Sequence, residues 1–340
     1  MSYGYGTASE TAIDDGEVTD AYFLRTEEAL EYLKENPLVK AEVTADQFPE
    51  GEDEVFCGLK EAINLLAGLP LDLYSIPEGA EFDGGPVMLI EGHYADFARY
   101  ETALLGLLSQ SSGYATAARR VSEAAGDTPV LSFGSRHIHP ALAPYMERAA
   151  AVGGVDGYSN VGAEEALDEA PSGTMPHALM LTQGKGNQER AWQAFNQAVD
   201  EDVPRTVLAD TFTDEVDETL RACDELGQDL DAVRLDTTGS RRGDFKHIIR
   251  EVRFHLDKRG RDEVDIFVSG GIDVEAIEDL KEYVDGFGVG SFITDSNPVD
   301  FGLDIVEVEG EEISKRGKLP GVKSMNVLKY IEDGRIIREV

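Results

Sequence analysis

The chain has 340 residues, enough for a sizeable core, and 30 Lys plus Arg stand against 67 Asp plus Glu, a formal charge of -37 and a pI near 4.3. That excess repels nucleic acid and anionic membrane, and its spread through most predicted helices fits a folded, hydrated surface of the halophilic kind, built for high salt, better than a disordered tail. Cys57 and Cys223 are too few for a disulfide framework or a zinc cluster; with no signal-peptide pattern and no apolar run approaching roughly 18 residues, a cytoplasmic protein is expected.

Residues 1–18, rich in Gly, Ser, Thr and acids, are expected to be loose and flexible. Thr19 is a candidate N-cap for a helix with Tyr22 and Phe23 at its start and Leu24, Leu30 and Leu33 along it, ending before Pro37. Residues 39–102 read as a β-rich unit with a helix inserted. VKAEVTADQF alternates, CGLKEAINLLAGLP has helical spacing, and PVMLIEGHYADF is strand-like. From Tyr94 to Ala118 a long apolar helix leads from this first domain to the second, its apolar face suited to a core or a dimer interface.

After residue 127 strand and helix alternate. PVLSF, GVDGYSN, PHALMLT, PRTVLAD, DAVRLD, VDIFVSG and VDGFGVG read as strands, each followed by an amphipathic or polar segment. Such alternation demands parallel strands with crossover helices, and its count favours a closed or nearly closed α/β barrel over 119–302. Residues 303–340 read as short strands and hairpins returning to the domain of 19–118, which makes that domain discontinuous, β-rich and of α+β type.

In such barrels chemistry sits at the C-terminal ends of the strands, and the unusual residues fall there. Phe133 and Arg136 follow the first strand, Ser159 the second, Asp210 the fourth, Arg234 and Asp236 the fifth. Ser269, Gly270 and Gly271 close the sixth, Gly288 and Gly290 the seventh, while His177 starts the third. The two glycine turns suit either a phosphate cradle or a tight turn. Arg136 beside Phe133 suits a flat anionic ring, with the aromatic face for stacking and the guanidinium for a carboxylate or phosphate. Asp210 and Asp236 suit a Mg²⁺ polyphosphate or ribose hydroxyls. These features together point to a barrel enzyme that handles a phosphorylated sugar. His137 and His139 share a face without an evident third metal ligand, so hydrogen bonding near the site is expected of them. Lys315, Arg316 and Lys318 reach substrate phosphates or balance a hairpin's charge.

FGSR, GYSNV, GTMPHAL, ADTF, VRLDTTGS, VSGGID, FGVGS and SKRGKLPGVK, in this order, resemble the motif series of nicotinate phosphoribosyltransferases in their shorter archaeal form. The resemblance runs from TDAYFLRT at residue 19 to Lys323. It implies the irregular barrel of type II phosphoribosyltransferases, and the joining of nicotinate to 5-phosphoribosyl 1-diphosphate. The products are nicotinate mononucleotide and diphosphate, with Mg²⁺ on the diphosphate substrate and ATP commonly hydrolysed as co-substrate in NAD biosynthesis. The resemblance also implies a homodimer or higher oligomer with shared sites. Phe133 is implied to stack on the pyridine, Arg136 to contact its carboxylate or the sugar phosphate, Ser159 the acid group, and Tyr22 to stack from the second subunit. Arg234 and Asp236, with Asp210 nearby, are implied to hold diphosphate and ribose, and Gly270, Gly271, Gly288 and Gly290, beside Ser269, the 5-phosphate. His177 matches the histidine that relatives phosphorylate from ATP. Some archaeal relatives carry a cysteine-bearing, zinc-binding end, and none of its cysteines occurs here, so no structural metal is expected. The alternatives are the decarboxylating quinolinate enzyme, which needs more cations, and a noncatalytic nucleotide sensor on the same fold.

Overall fold

In the computed structural model, which describes residues 4–45, 54–323 and 325–340, the chain forms two compact units, one of residues 1–116 with 296–340 and one of residues 117–295. The sequence reading drew these boundaries at 118/119 and 302/303, two and seven residues later. Strands β1 (Leu38–Ala45), β2 (Leu71–Ser75) and β3 (Pro86–His93) precede a central run, β4 (Val130–Ser132), β5 (Gly157–Tyr158), β6 (Thr206–Leu208), β7 (Ala232–Leu235), β8 (Asp265–Ser269) and β9 (Gly286–Val289). β10 (Phe301–Val308), β11 (Glu311–Glu312), β12 (Leu328–Glu332) and β13 (Arg335–Ile336) follow it.

The discontinuous unit is built on an antiparallel sheet ordered β11-β10-β1-β3-β2-β12-β13. Strands from both ends of the chain therefore share one sheet, as the returning hairpins suggest. β1 is buried from Ala41 onward, in mid-sheet between β10 and β3, with Ala41, Val43 and Ala45 in one core with the inserted helix. That helix, Leu59–Leu66, buries Leu59, Ala62, Ile63 and Leu66, one stripe at helical spacing. It begins at Gly58, whose φ of +96° and whose closeness to Leu107 O, 2.8 Å from where a Cβ would sit, admit no side chain. With no side chain at that cap, Glu78 Oε1 accepts from the amides of Gly58 and Leu59 instead, at 2.8 and 2.9 Å. Leu73 and Ile90 are fully buried in the resulting core, where Leu73→Ala costs about 2–5 kcal/mol.

Several local expectations are corrected. Residues 10–14, expected to be loose, form a helical turn capped by Ser9, while residues 1–3 lie outside the described residues. The helix Ala21–Leu33 starts from Asp20, not Thr19; Phe23 is its buried anchor, and Leu24 and Leu33 are exposed. β1 is described over Leu38–Ala45, and residues 46–48 of the alternating segment lie outside the described residues. Leu71–Ser75, which the sequence reading passed over, is a strand with alternating burial.

The central unit carries a parallel sheet ordered β5-β4-β9-β8-β7-β6, with helices between strands. The last strand, β9, pairs with the first, β4, and β5 and β6 are the two ends of the ladder among the described residues. In sequence, PHALMLT falls between β5 and β6, and it is a helix, His177–Gln183, not the expected third strand. Ala, Leu and Met are strong helix formers, and a short apolar run alone does not separate buried strand from helix. Cys57 and Cys223 are both buried. Among the described residues no helix is long and apolar enough to cross a membrane.

Candidate active site

At the C-terminal ends of the parallel strands lies a pocket of about 380 Å³. Its wall includes Phe133, Arg136, Ser159, Arg234, Asp236, Ser269, Gly270, Gly271, Gly288 and Gly290, every site residue named from the sequence except His177, Asp210 and Tyr22. Ser135, His137, Thr174 and Ser291 join them.

Strand geometry explains the convergence. Arg234 and Asp236 lie two residues apart and so share a face of β7 and its extension. Arg234 donates from Nη1 to Thr174 Oγ1 and from Nη2 to Met175 O at 3.4 Å, and its Cζ lies 5.7 Å from the centre of the Phe133 ring. Burial pulls its pKa down while Asp236 and Asp210 hold it up; a guanidinium stays charged throughout. Its Nε is buried with no partner among the described residues, an unusual state for a charged donor.

His177 and Asp210 form a pair adjoining the wall. Nε2 of His177 lies 2.8 Å from Asp210 Oδ1, and the Asp210 side chain is only 2 % exposed. Asp210 Oδ2 accepts the Asp236 amide at 2.8 Å and faces Thr237 Oγ1 at 3.4 Å. The bond to Asp210 raises the His177 pKa, burial opposing it. The sequence reading offered both aspartates to a Mg²⁺ polyphosphate or to ribose hydroxyls. Asp210 is committed to histidine and backbone, which leaves Asp236 as the free carboxylate of the two, and no cluster of three metal-ligating side chains occurs among the described residues.

The glycine turns have separate reasons. Gly270 and Gly271 have φ of +84° and +66°, and a Cβ on Gly270 would stand 2.4 Å from Asp236 Oδ1. Gly288 is required by packing, since its Cβ would meet the Phe133 ring at 2.4 Å. Phe133 in turn is anchored by its amide on Val289 O at 2.7 Å.

Sequence reasoning missed the supports. Arg242 donates to Thr237 O at 3.0 Å and Gly270 O at 2.6 Å, and stacks 4.2 Å over Phe245, tying the TTGS turn to the SGG turn. Glu218, fully buried, accepts from the amides of Thr211, Phe212 and Thr213 at 2.5–2.7 Å and from Gln188 Nε2, fixing the loop that carries Asp210. Both are charges bonded chiefly to backbone groups, which no sequence spacing announces.

Tyr22 belongs to the other unit. There it is 56 % exposed and lines a second pocket with Tyr94, Glu101, Asp304 and Lys315. In that pocket burial, with Asp304 adding to it, pushes the Glu101 carboxyl up to about 7. Lys315 and Lys318 both pair with Asp304, at 2.5 and 3.0 Å, so these two lysines balance charge within their own hairpin. His139 caps a turn by accepting the Ala141 amide, and His137 Nε2 lies 3.3 Å from Arg136 Nε. Neither sits in a metal cluster among the described residues.

Residues 20–112 match the N-terminal domain of quinolinate phosphoribosyl transferase and residues 114–304 its C-terminal domain. The chain belongs to that phosphoribosyltransferase family. A nicotinate phosphoribosyltransferase of Mycobacterium tuberculosis is 32 % identical over 270 residues, 76 % of this chain and 59 % of that protein. One of Bacillus subtilis is 29 % identical over 80 % of this chain and 54 % of its own length, so the chain spans little more than half of these curated relatives. Among solved structures, the nicotinate-nucleotide pyrophosphorylase of Pyrococcus furiosus superposes with a TM-score of 0.94 at 47 % identity, covering all of this chain and 94 % of that chain. Human nicotinic acid phosphoribosyltransferase shares the fold at a TM-score of 0.69 and 20 % identity, over 89 % of this chain and 77 % of its own. The family is one of NAD biosynthesis; which pyridine this member takes is a separate question.

Proposed function

We propose that this phosphoribosyltransferase joins nicotinate to 5-phosphoribosyl 1-diphosphate, giving nicotinate mononucleotide and diphosphate, with ATP hydrolysed as co-substrate. The observation that carries the reading is the pocket wall: one aromatic ring, two guanidinium groups, a free carboxylate and a left-handed glycine turn face one space. Phe133 offers a stacking face for the pyridine and Arg136 a partner for its carboxylate. The orphan Nε of Arg234 suits an anionic oxygen of the sugar diphosphate. Gly270 and Gly271 turn backbone amides toward the 5-phosphate, beside Ser269. We read the parallel sheet as an incomplete barrel, open where His177 enters on its helix.

A pyridine nitrogen is unprotonated near neutral pH, so the reaction needs no strong base. The chain's own task is to hold the ring nitrogen over C1, to receive the departing diphosphate and to offset positive charge growing on the ribose, the last a role for Asp236. The single free carboxylate fits Mg²⁺, which takes one or two carboxylates together with substrate phosphates and supplies charge neutralisation to the leaving group. With Nε2 of His177 held by Asp210, Nδ1 is the nitrogen left to attack the γ-phosphorus of ATP, ADP leaving. We further propose a homodimer in which Tyr22 of one subunit completes the site of the other.

The family description favours a second reading, decarboxylation of quinolinate. Two ring carboxylates ask for a denser cluster of cations than Arg136 and Arg234, and no lysine lines the pocket among the described residues. The names of the curated relatives also support nicotinate. Incubation with 5-phosphoribosyl 1-diphosphate, Mg²⁺ and nicotinate, followed by chromatography, is expected to yield nicotinate mononucleotide; absence of that product from folded protein removes the reading.

A further inference from the structure

Glu147 lies next to the pocket wall and has no place in the chemistry above. It sits on the helix Ala143–Gly153 and is fully buried. Its Oε1 accepts from Ser135 Oγ at 2.6 Å, and Ser135 lies in the short turn Gly134–His137, between Phe133 and Arg136. Met146, its neighbour on the helix, presses on the same turn: a Cβ on Gly134 would meet Met146 Cε at 3.0 Å. Ser132, on the other side of Phe133, also faces the Glu147 carboxyl, yet neither Ser132 Oγ nor Glu147 Oε2 completes a well-formed hydrogen bond among the described residues. A fully buried carboxyl is expensive to keep and is retained where its hydrogen bonds fix something.

We propose that Glu147 is the positioning residue of the base-binding wall, holding Ser135 from behind and through it fixing the directions in which Phe133 and Arg136 meet the substrate. The inference rests on the reading that this wall takes a pyridine carboxylate. Burial pushes the Glu147 carboxyl up, toward its neutral form, so an amide of the same shape is a fair substitute and alanine is not.

The test compares wild type, Glu147→Ala, Glu147→Gln and Ser135→Ala by two readouts, steady-state kinetics and hydrogen exchange across residues 133–137. Glu147→Ala is expected to raise KM for nicotinate about ten- to a hundredfold, as loss of orientation does, with KM for 5-phosphoribosyl 1-diphosphate unchanged and exchange across 133–137 faster. Glu147→Gln is expected to bring both readouts back near wild type. Ser135→Ala, which removes the same bond without emptying the helix, is expected to reproduce the nicotinate effect even if Glu147→Ala fails to fold. Equal changes in both KM values, or unchanged exchange in Glu147→Ala, overturn the assignment. If the wild-type enzyme converts no nicotinate, the functional reading has failed on its own account. The exchange comparison then decides the positioning role alone: faster exchange confined to 133–137 upholds it, and unchanged exchange overturns it.

Discussion

Asp210 is the residue on which the site's electrostatics turn, because one buried carboxylate serves both an imidazole and a backbone amide. Its bond raises the His177 pKa above the ordinary value of about 6.5. A raised pKa means that the pair's contribution to stability is complete below that ordinary value and is lost as pH rises through the folded-state value. Asp210→Asn is therefore expected to lower the His177 midpoint in an NMR titration of the ring, and an unshifted midpoint would show that Asp210 does not hold the proton. A nucleophilic Nδ1 requires neutral imidazole, so ATP-coupled turnover is expected to rise with pH over the same interval. His177→Ala should abolish ATP stimulation while leaving an ATP-independent rate; stimulation that survives the change rules out the phosphohistidine role. Arg136→Ala should weaken nicotinate use by roughly 1.5–3 kcal/mol, the worth of a hydrogen bond to a charged group, read as kcat/KM.

The turns after the strands are held by charged side chains bonded to backbone, and this explains what the sequence did and did not disclose. Phe133, Ser159, Arg234 and Asp236 were legible because a period of two and a strand's end place them without further knowledge. Glu218 was not, since a carboxylate three residues into a helix reads as ordinary first-turn acid. Its removal in Glu218→Ala would leave three amides of the 211–213 loop without their acceptor and cost about 3 kcal/mol, measurable as a fall in Tm; an unchanged Tm would mean water replaces the carboxylate at no loss. The helix at His177–Gln183 was misread for the opposite reason, because seven residues are too few for periodicity to choose between helix and strand. Gly270→Ala places a side chain in left-handed backbone against Asp236, and is expected to cost about 1–3 kcal/mol while weakening 5-phosphoribosyl 1-diphosphate binding measured by calorimetry.

At the scale of the molecule the charge of -37 has the widest reach. It repels itself over distances that salt shortens to about 3 Å at 1 M. Thermal stability is accordingly expected to rise between dilute buffer and molar KCl, and a Tm that falls would contradict a surface stabilised by screening. The architecture of two units, one assembled from both ends of the chain, was legible in the change from mixed to strictly alternating patterns near residue 127. Its sheet order was not, because pairing of β9 with β4 depends on how far the sheet curls. The base remains the central claim, and the most direct measurement is kcat/KM for nicotinate and for quinolinate under one set of conditions, with 5-phosphoribosyl 1-diphosphate and Mg²⁺ in molar KCl, with and without ATP. Nicotinate favoured by orders of magnitude is the predicted result, and quinolinate turned over with release of carbon dioxide while nicotinate is left untouched would contradict it.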